Sequence, residues 1–294
     1  MANAFEQLKK ARKSSLEELT TRLETIKEDT GSSQDDRFWK LSVDKAQNGH
    51  AIIRFLPAPK GESLPWVRLF SHAFQGPGGW YIENSLTTIN KKDPVSEYNT
   101  KLWNSGVDSN KAIARKQKRK LQYIANIYVV SDPANPDNDG KVFLFKFGKK
   151  IFDKIEDVMN PEFPDETAIN PFDLWEGADF RLRARMVDGY RNYDKSDFDS
   201  PSTVLDGDSE LEEVWNSEHS LQELVAENQF KSYDDLKARF YRTIGEAGTS
   251  DFEEDVVDSA PERTPVAAPE LDNDNNEEAE DNSLSYFKKL AEEV

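Results

Sequence analysis

The sequence predicts an α+β protein: a small antiparallel β-barrel with accessory helices. Three observations carry this. From about Phe38 onward, short β-rich runs alternate with Gly- and Pro-bearing turns. One run, Asp179–Val187, sets Phe180, Leu182, Ala184 and Met186 on one face and Arg181, Arg183 and Arg185 on the other. That alternation is the signature of a half-buried antiparallel strand. Helical periodicity is confined to a few segments, one of them between strands. Short strands, tight turns and one intervening helix together suggest a Greek-key barrel of the OB type.

Each element follows from local pattern. Residues 5–28 are expected to be helical, because Leu16, Leu19, Leu23 and Ile26 recur at spacings of three and four. Ser15 and Glu18 form a capping box, and Gly31-Ser32-Ser33 ends the segment. Ala51–Leu56, Trp66–Phe74 and Gly79–Glu83 read as strands, with a turn at Gln75–Gly79. Residues 84–110 are polar and irregular, which predicts a long loop or loop subdomain. Tyr123–Val130 and Lys141–Phe147 form a hairpin across the turn Ser131–Gly140. Ile151, Ile155 and Val158 place a helix in Gly148–Met159. Residues 208–246 are expected to be helical, through Ser220–Glu227 and Ser232–Ile244, the latter opened by a Ser232–Asp235 capping box.

Composition narrows the function. The 294 residues include no cysteine, which excludes disulfides, thiolate metal sites and a cysteine nucleophile. The longest apolar runs are far short of the ~20 residues of a membrane helix, so no membrane contact is expected. The N-terminus lacks a secretory pattern. There is no phosphate loop, no dinucleotide fingerprint and no nucleophile elbow. His50, His72 and His219 lie far apart in the chain. The chain is therefore expected not to be an enzyme and to need no cofactor.

A net charge of −18 argues at face value against a polyanionic partner. Its placement reverses that argument. Residues 251–294 hold 15 acidic and 3 basic residues, a net of −12, with few large apolar residues before Leu284. That composition predicts a disordered acidic tail. The block Asp206–Glu227 adds eight acidic residues and no Lys or Arg. The cations cluster instead in Lys9-Lys10-Ala11-Arg12-Lys13 and in Lys111–Lys120, which has six in ten positions. Three parts follow: a basic N-terminal arm over 1–30, a core over 31–250 and the tail over 251–294.

Single-stranded nucleic acid is bound by cations that track phosphates and aromatic faces on which bases stack. Both are interleaved here. Arg115, Lys116, Lys118, Arg119 and Lys120 lead into Tyr123, and Phe145 adjoins Lys146. Arg181 and Arg183 lie on the arginine face, and Tyr190 and Tyr193 flank Arg191 just beyond it. Alternation also puts Tyr123 and Phe145 in step with core positions, so for these two burial competes evenly with stacking. Tyr190 and Tyr193 sit in a polar, Gly-containing turn, which favours binding. The six tryptophans are scattered and read as structural. A rival reading of the whole chain is an acidic scaffold or DNA mimic that binds basic partners. A metal-dependent nuclease is a third.

The chain resembles the single-stranded-DNA-binding (helix-destabilising) proteins of T-even-type bacteriophages. The resemblance rests on Asn48–Pro57 (NGHAIIRFLP), Gly79–Glu83 (GWYIE), Lys118-Arg119-Lys120 before Tyr123, and Asp132-Pro133 through Gly140–Phe143. Phe147–Ile151 (FGKKI), Trp175–Ala178 (WEGA) and Asn192-Tyr193-Asp194 extend it. It implies an OB-fold core whose strand-binding positions include Lys118, Arg119, Lys120, Tyr123, Phe145, Tyr190 and Tyr193. It implies an arm for cooperative self-association, at Lys9, Lys10, Arg12, Lys13, Ser14 and Ser15. It also implies an acidic tail that recruits replication and recombination proteins such as polymerase, helicase loader and primase. The setting would be the cytoplasm of an infected bacterial host. The best-known members hold a structural zinc with one His and three Cys. Here His72 stands in the histidine place and Ser85, Asp93 and Ser96 in the cysteine places. Hydroxyls are poor zinc ligands, so no zinc is expected. Ile124 and Ala114 stand where the resemblance implies rings.

Overall fold

The structure, a computed structural model, describes residues 35–163 and 165–246. The expected arm and its helix over 5–28, with Lys9, Lys10, Arg12, Lys13, Ser14 and Ser15, lie outside the described residues. So does the expected tail over 251–294.

Nine strands and five α-helices are described. The strands are β1 (Phe38–Trp39), β2 (Gly49–Phe55), β3 (Trp66–Gly76), β4 (Gly79–Asn84), β5 (Lys120–Ser131), β6 (Val142–Phe147), β7 (Ala178–Val187), β8 (Tyr190–Asn192) and β9 (Asp197–Pro201). The helices are α1 (Pro94–Asn104), α2 (Asp108–Lys116), α3 (Lys149–Met159), α4 (Asp208–Asn216) and α5 (Tyr233–Ile244). From Trp39 onward the described residues belong to one compact unit.

β5 organises the sheet. Along one edge it pairs antiparallel with β6, from Tyr123↔Phe147 to Tyr128↔Val142. Its other edge is divided: the first half pairs with β3, from Ser71↔Lys120 to Trp66↔Ala125, and the second half with β2, including Phe55↔Ile127. β2 continues the sheet to β7, and β7 pairs with both β8 and β9. Every one of these ladders is antiparallel, as expected. They form an open path, β6-β5-β2-β7-β8, with β3 and β4 branching from β5. Among the described residues no ladder joins the two ends, so the antiparallel sheet is not closed by strand pairing. The long β5 divides its hydrogen bonds between β2 and β3, so the sheet branches there.

The expected alternation of β7 is realised. Phe180, Leu182 and Ala184 are buried with Ala51, Ile53, Phe55, Tyr123, Ala125, Ile127, Val129, Phe145 and Phe147 in the main core. Helix α3 adds Ile151, Phe152 and Ile155. Met186 departs from the pattern and is exposed, because β7 there pairs with the short β8 and has run past the core.

A second core lies beneath the β3–β4 hairpin, where Phe74, Tyr81, Leu86 and Val95 pack on Leu236 and Phe240 of α5. The hairpin turn lies so close to the end of α5 that a Cβ on Gly76 would strike the main chain of Thr243. Ser232 caps α5 as expected, its hydroxyl accepting the Asp235 N–H at 3.1 Å. Two other expectations are corrected. Residues 84–110 are not an irregular loop: a short 3-10 helix (Leu86–Ile89) is followed by α1 and the start of α2. Asp93 caps α1 and Pro94 occupies its first turn, the strongest local start signal a helix has. Segment 220–227 forms 3-10 turns instead of an α-helix.

Candidate nucleic-acid interface

The basic run Lys111–Lys120 is split by the fold. Its first part is the last two turns of α2, which ends at the cap residue Gln117; its last residue opens β5. Arg115, Lys116, Lys118 and Arg119 are exposed around that junction. Two of them lie on rings. The Arg115 guanidinium sits 5.4 Å from the Trp103 ring centroid, and that of Arg119 sits 4.3 Å from Phe70. A cation held over a ring keeps its charge while losing freedom of the long side chain. Lys116 and Lys118 make no ion pair among the described residues. Lys120 is half-buried, and burial lowers its pKa.

The aromatic candidates fall in different places. Tyr123, Phe145 and Tyr193 are 7%, 6% and 5% exposed and belong to the main core. Tyr123 stacks between Phe152 and Phe147; Phe145 packs edge-on to Trp39 and face-on to Phe147. As folded, Tyr123 and Phe145 are covered by neighbouring rings, so of the two readings open for them it is burial that is seen, and Tyr193, expected at a binding position, is buried in the core. For Tyr123 and Phe145 the reason is the period of two, since each shares its strand face with core residues; Tyr193 follows the end of β8 and is buried from the turn. Tyr190, at the β7–β8 turn, is 57% exposed. Lys146 is exposed on the opposite face of β6 from Phe145 and Phe147.

The arginine face of β7 is present but neutralised. Arg183 reaches Asp197 at 3.2 Å, and Arg181 bonds Asp199. Arg185 makes a two-point pair with Asp194, whose carboxyl this contact holds below the ordinary carboxylate range. These acids follow β7 in sequence and come from β9 and the turn before it, beyond the reach of a single-strand pattern. Two groups of candidates therefore emerge. Arg115 to Lys120, with Lys146, gather at α2, β5 and β6. Arg181, Arg183 and Tyr190 lie on β7 and its turn, with β2 between the two groups. Sequence reasoning passed over Trp80, which is 42% exposed at the start of β4. Its flanking Gly78-Gly79 turn was the available signal.

Behind the α2–β5 junction, the four residues that the resemblance set against zinc ligands do meet. His72 and Asp93 are each 1% exposed. His72 donates Nδ1–H to the Gln117 carbonyl at 2.9 Å and holds Nε2 3.2 Å from Asp93 Oδ1. The second contact is at ion-pair distance, and His72 is the foremost of the neighbours that favour the Asp93 carboxylate. Asp93 Oδ1 also accepts Ser96 N–H at 2.9 Å; Oδ2 accepts the Ser85 hydroxyl at 2.9 Å and Leu86 N–H at 3.2 Å. Burial opposes ionisation of Asp93, but His72 and these donors outweigh it and hold the pKa well below the usual range. Zinc does not fit this donor set. The imidazole is turned to a carbonyl and a carboxylate, both carboxylate oxygens are occupied by hydrogen-bond donors, and the remaining groups are hydroxyls.

A family profile described as gp32 DNA binding protein like matches residues 47–244. A single-stranded DNA-binding protein of Enterobacteria phage T2 is 41% identical over 223 residues, covering 74% of this chain and 72% of that protein. Its counterpart in Enterobacteria phage T4 is 40% identical over 223 residues, covering 74% and 73%. A single-stranded DNA-binding protein of Escherichia phage SV14 is 46% identical over 72 residues, or 24% of this chain and 64% of that protein.

Proposed function

The chain belongs to the family of gp32-like DNA-binding proteins, and on that premise we propose that it binds single-stranded DNA without sequence preference. The observation that carries this reading is the α2–β5 junction. There Lys116 and Lys118 are exposed and unpaired among the described residues, between two arginines laid on aromatic rings. Cations spaced along a turn suit a flexible phosphate backbone and carry no base code. The action is binding and protection of the strand rather than catalysis, in keeping with the DNA-binding description of the family.

The finer reading follows from charge placement and the family. The protein coats unpaired DNA cooperatively during viral replication, recombination and repair in an infected bacterial host. Residues Lys9–Ser15 contact the next copy along the strand. The segment 251–294, with its net −12, competes for the basic junction and recruits replication proteins. The core takes the OB-type role in strand binding. Fluorescence anisotropy with oligo-dT and with a duplex of equal length tests the first claim. Single-strand affinity should exceed duplex affinity, with log K falling by about 0.7 per phosphate contact for each log unit of salt. Equal affinity for both would overturn it. Deleting 1–15 should abolish cooperativity on long strands while sparing affinity for a short oligonucleotide.

A further inference from the structure

The buried cluster behind the basic junction does more than fill space. The Gln117 carbonyl is the point where α2 ends, with Arg115 and Lys116 on one side and Lys118, Arg119 and Lys120 on the other. Two donors clamp it: His72 Nδ1 at 2.9 Å and Asn99 Nδ2 at 3.1 Å. His72 is on β3, and Asn99 is on α1. His72 is held in turn by Asp93, whose other oxygen fixes Ser85 and Leu86 at the end of β4. Asp93 also acts on the junction directly, its charge opposing the effect of burial on Arg119. One buried carboxylate and one buried imidazole thus connect β3, β4 and α1 to the turn that carries the cations.

We propose that the Asp93–His72–Gln117 chain is a metal-free strut that positions the basic segment 115–120 for the DNA strand, tethering this lobe as zinc would in the T-even-type resemblance. His72 and Asp93 are positioning residues, since neither is exposed to a bound strand. A buried pair of this kind contributes little net stability against an apolar replacement, but loss of one partner leaves the other uncompensated. Its use here is geometric: it sets the direction in which α2 stops and β5 begins. The inference rests on the single-strand reading above.

The test is a salt titration of full-length Asp93→Asn and His72→Asn on oligo-dT, below the melting temperature of each. Phe240→Leu serves as a control that loosens the same lobe without touching the strut. Displacement of the basic segment should weaken binding about tenfold and make the log–log slope shallower by about 0.7 for each phosphate no longer neutralised. Phe240→Leu should lower the melting temperature and leave the slope unchanged. Asp93→Asn keeps the side-chain volume and a capping oxygen, so it reports even if His72→Asn fails to fold. Added zinc or EDTA should change neither melting temperature nor slope of the wild type. Unchanged affinity and slope in folded Asp93→Asn would overturn the proposal, as would one-to-one stabilisation by zinc. If the wild type itself fails to bind oligo-dT, the single-strand reading fails first.

Discussion

Tyr123 lies face to face on Phe152, with ring centroids 3.8 Å apart and planes 5° from parallel. The stack fixes α3 to the middle strand of the sheet and occupies the ring that would otherwise be offered to a base. Tyr123→Ala is expected to lower the unfolding free energy by about 3–5 kcal/mol, as for other large aromatic truncations in a core. Tyr123→Phe should keep the stack and leave oligo-dT affinity within about twofold. Urea unfolding and anisotropy on the same samples check both.

Tyr190 has the opposite character. It is 57% exposed at the β7–β8 turn, so its removal should cost little stability. If it stacks on a base, Tyr190→Ala should weaken binding by about 1–3 kcal/mol with an unchanged salt slope, because no charge is removed. A mutant that melts early yet binds normally would place the ring in packing instead.

Asp197 lies near two cations of β7, 3.2 Å from Arg183 and 3.9 Å from Arg181. Replacing it with Asn would unmask positive charge on that face. Asp197→Asn should therefore tighten binding to oligo-dT at low salt by about two- to fivefold, with the gain vanishing as salt screens it. No gain at any ionic strength would take the β7 face out of the strand path.

Glu218 is a buried carboxyl next to Glu62, and burial followed by that neighbour's charge pushes its pKa up to about 8. Among the described residues, both of its oxygens lack hydrogen-bond partners. The folded state therefore holds a proton that the unfolded state releases near the ordinary carboxylate value. Between those two pKa values the folded protein binds more protons, so this group's contribution to stability falls as pH rises through about 4.5–8 and is flat above. Glu218→Gln should remove that slope. Its melting temperature at pH 8 should exceed the wild type's by several degrees, at about 2–4 °C per kcal/mol for a domain of this size. Thermal melts of both proteins from pH 5 to pH 8 read the difference directly.

The strands were legible because their signal is local. Phe180, Leu182 and Ala184 alternate with arginines, and alternation alone puts them inward. Helix α1 was not legible from periodicity, since in that polar stretch only Pro94 and Val95 are fully buried. Its start was written in Asp93-Pro94, a cap and a first-turn proline. The basic junction could be read from composition, and its flanking cations are indeed exposed. The neutralising acids of β7 could not, because Asp197 and Asp199 meet the arginines through pairing with β9, and Asp194 through the turn that follows β8. Tyr123 shows the limit of parity: a residue in step with a core face satisfies two readings until its neighbour, here Phe152, is known.

The central claim is that the α2–β5 junction holds single-stranded DNA through Lys116 and Lys118. Its most direct test is anisotropy of labelled oligo-dT with wild type and Lys116→Glu/Lys118→Glu, titrated over salt, with circular dichroism confirming the fold. The expected result is a collapse of affinity at low salt and a slope shallower by about 1.4, equivalent to two fewer neutralised phosphates. A folded double variant that binds with wild-type affinity and slope would contradict it.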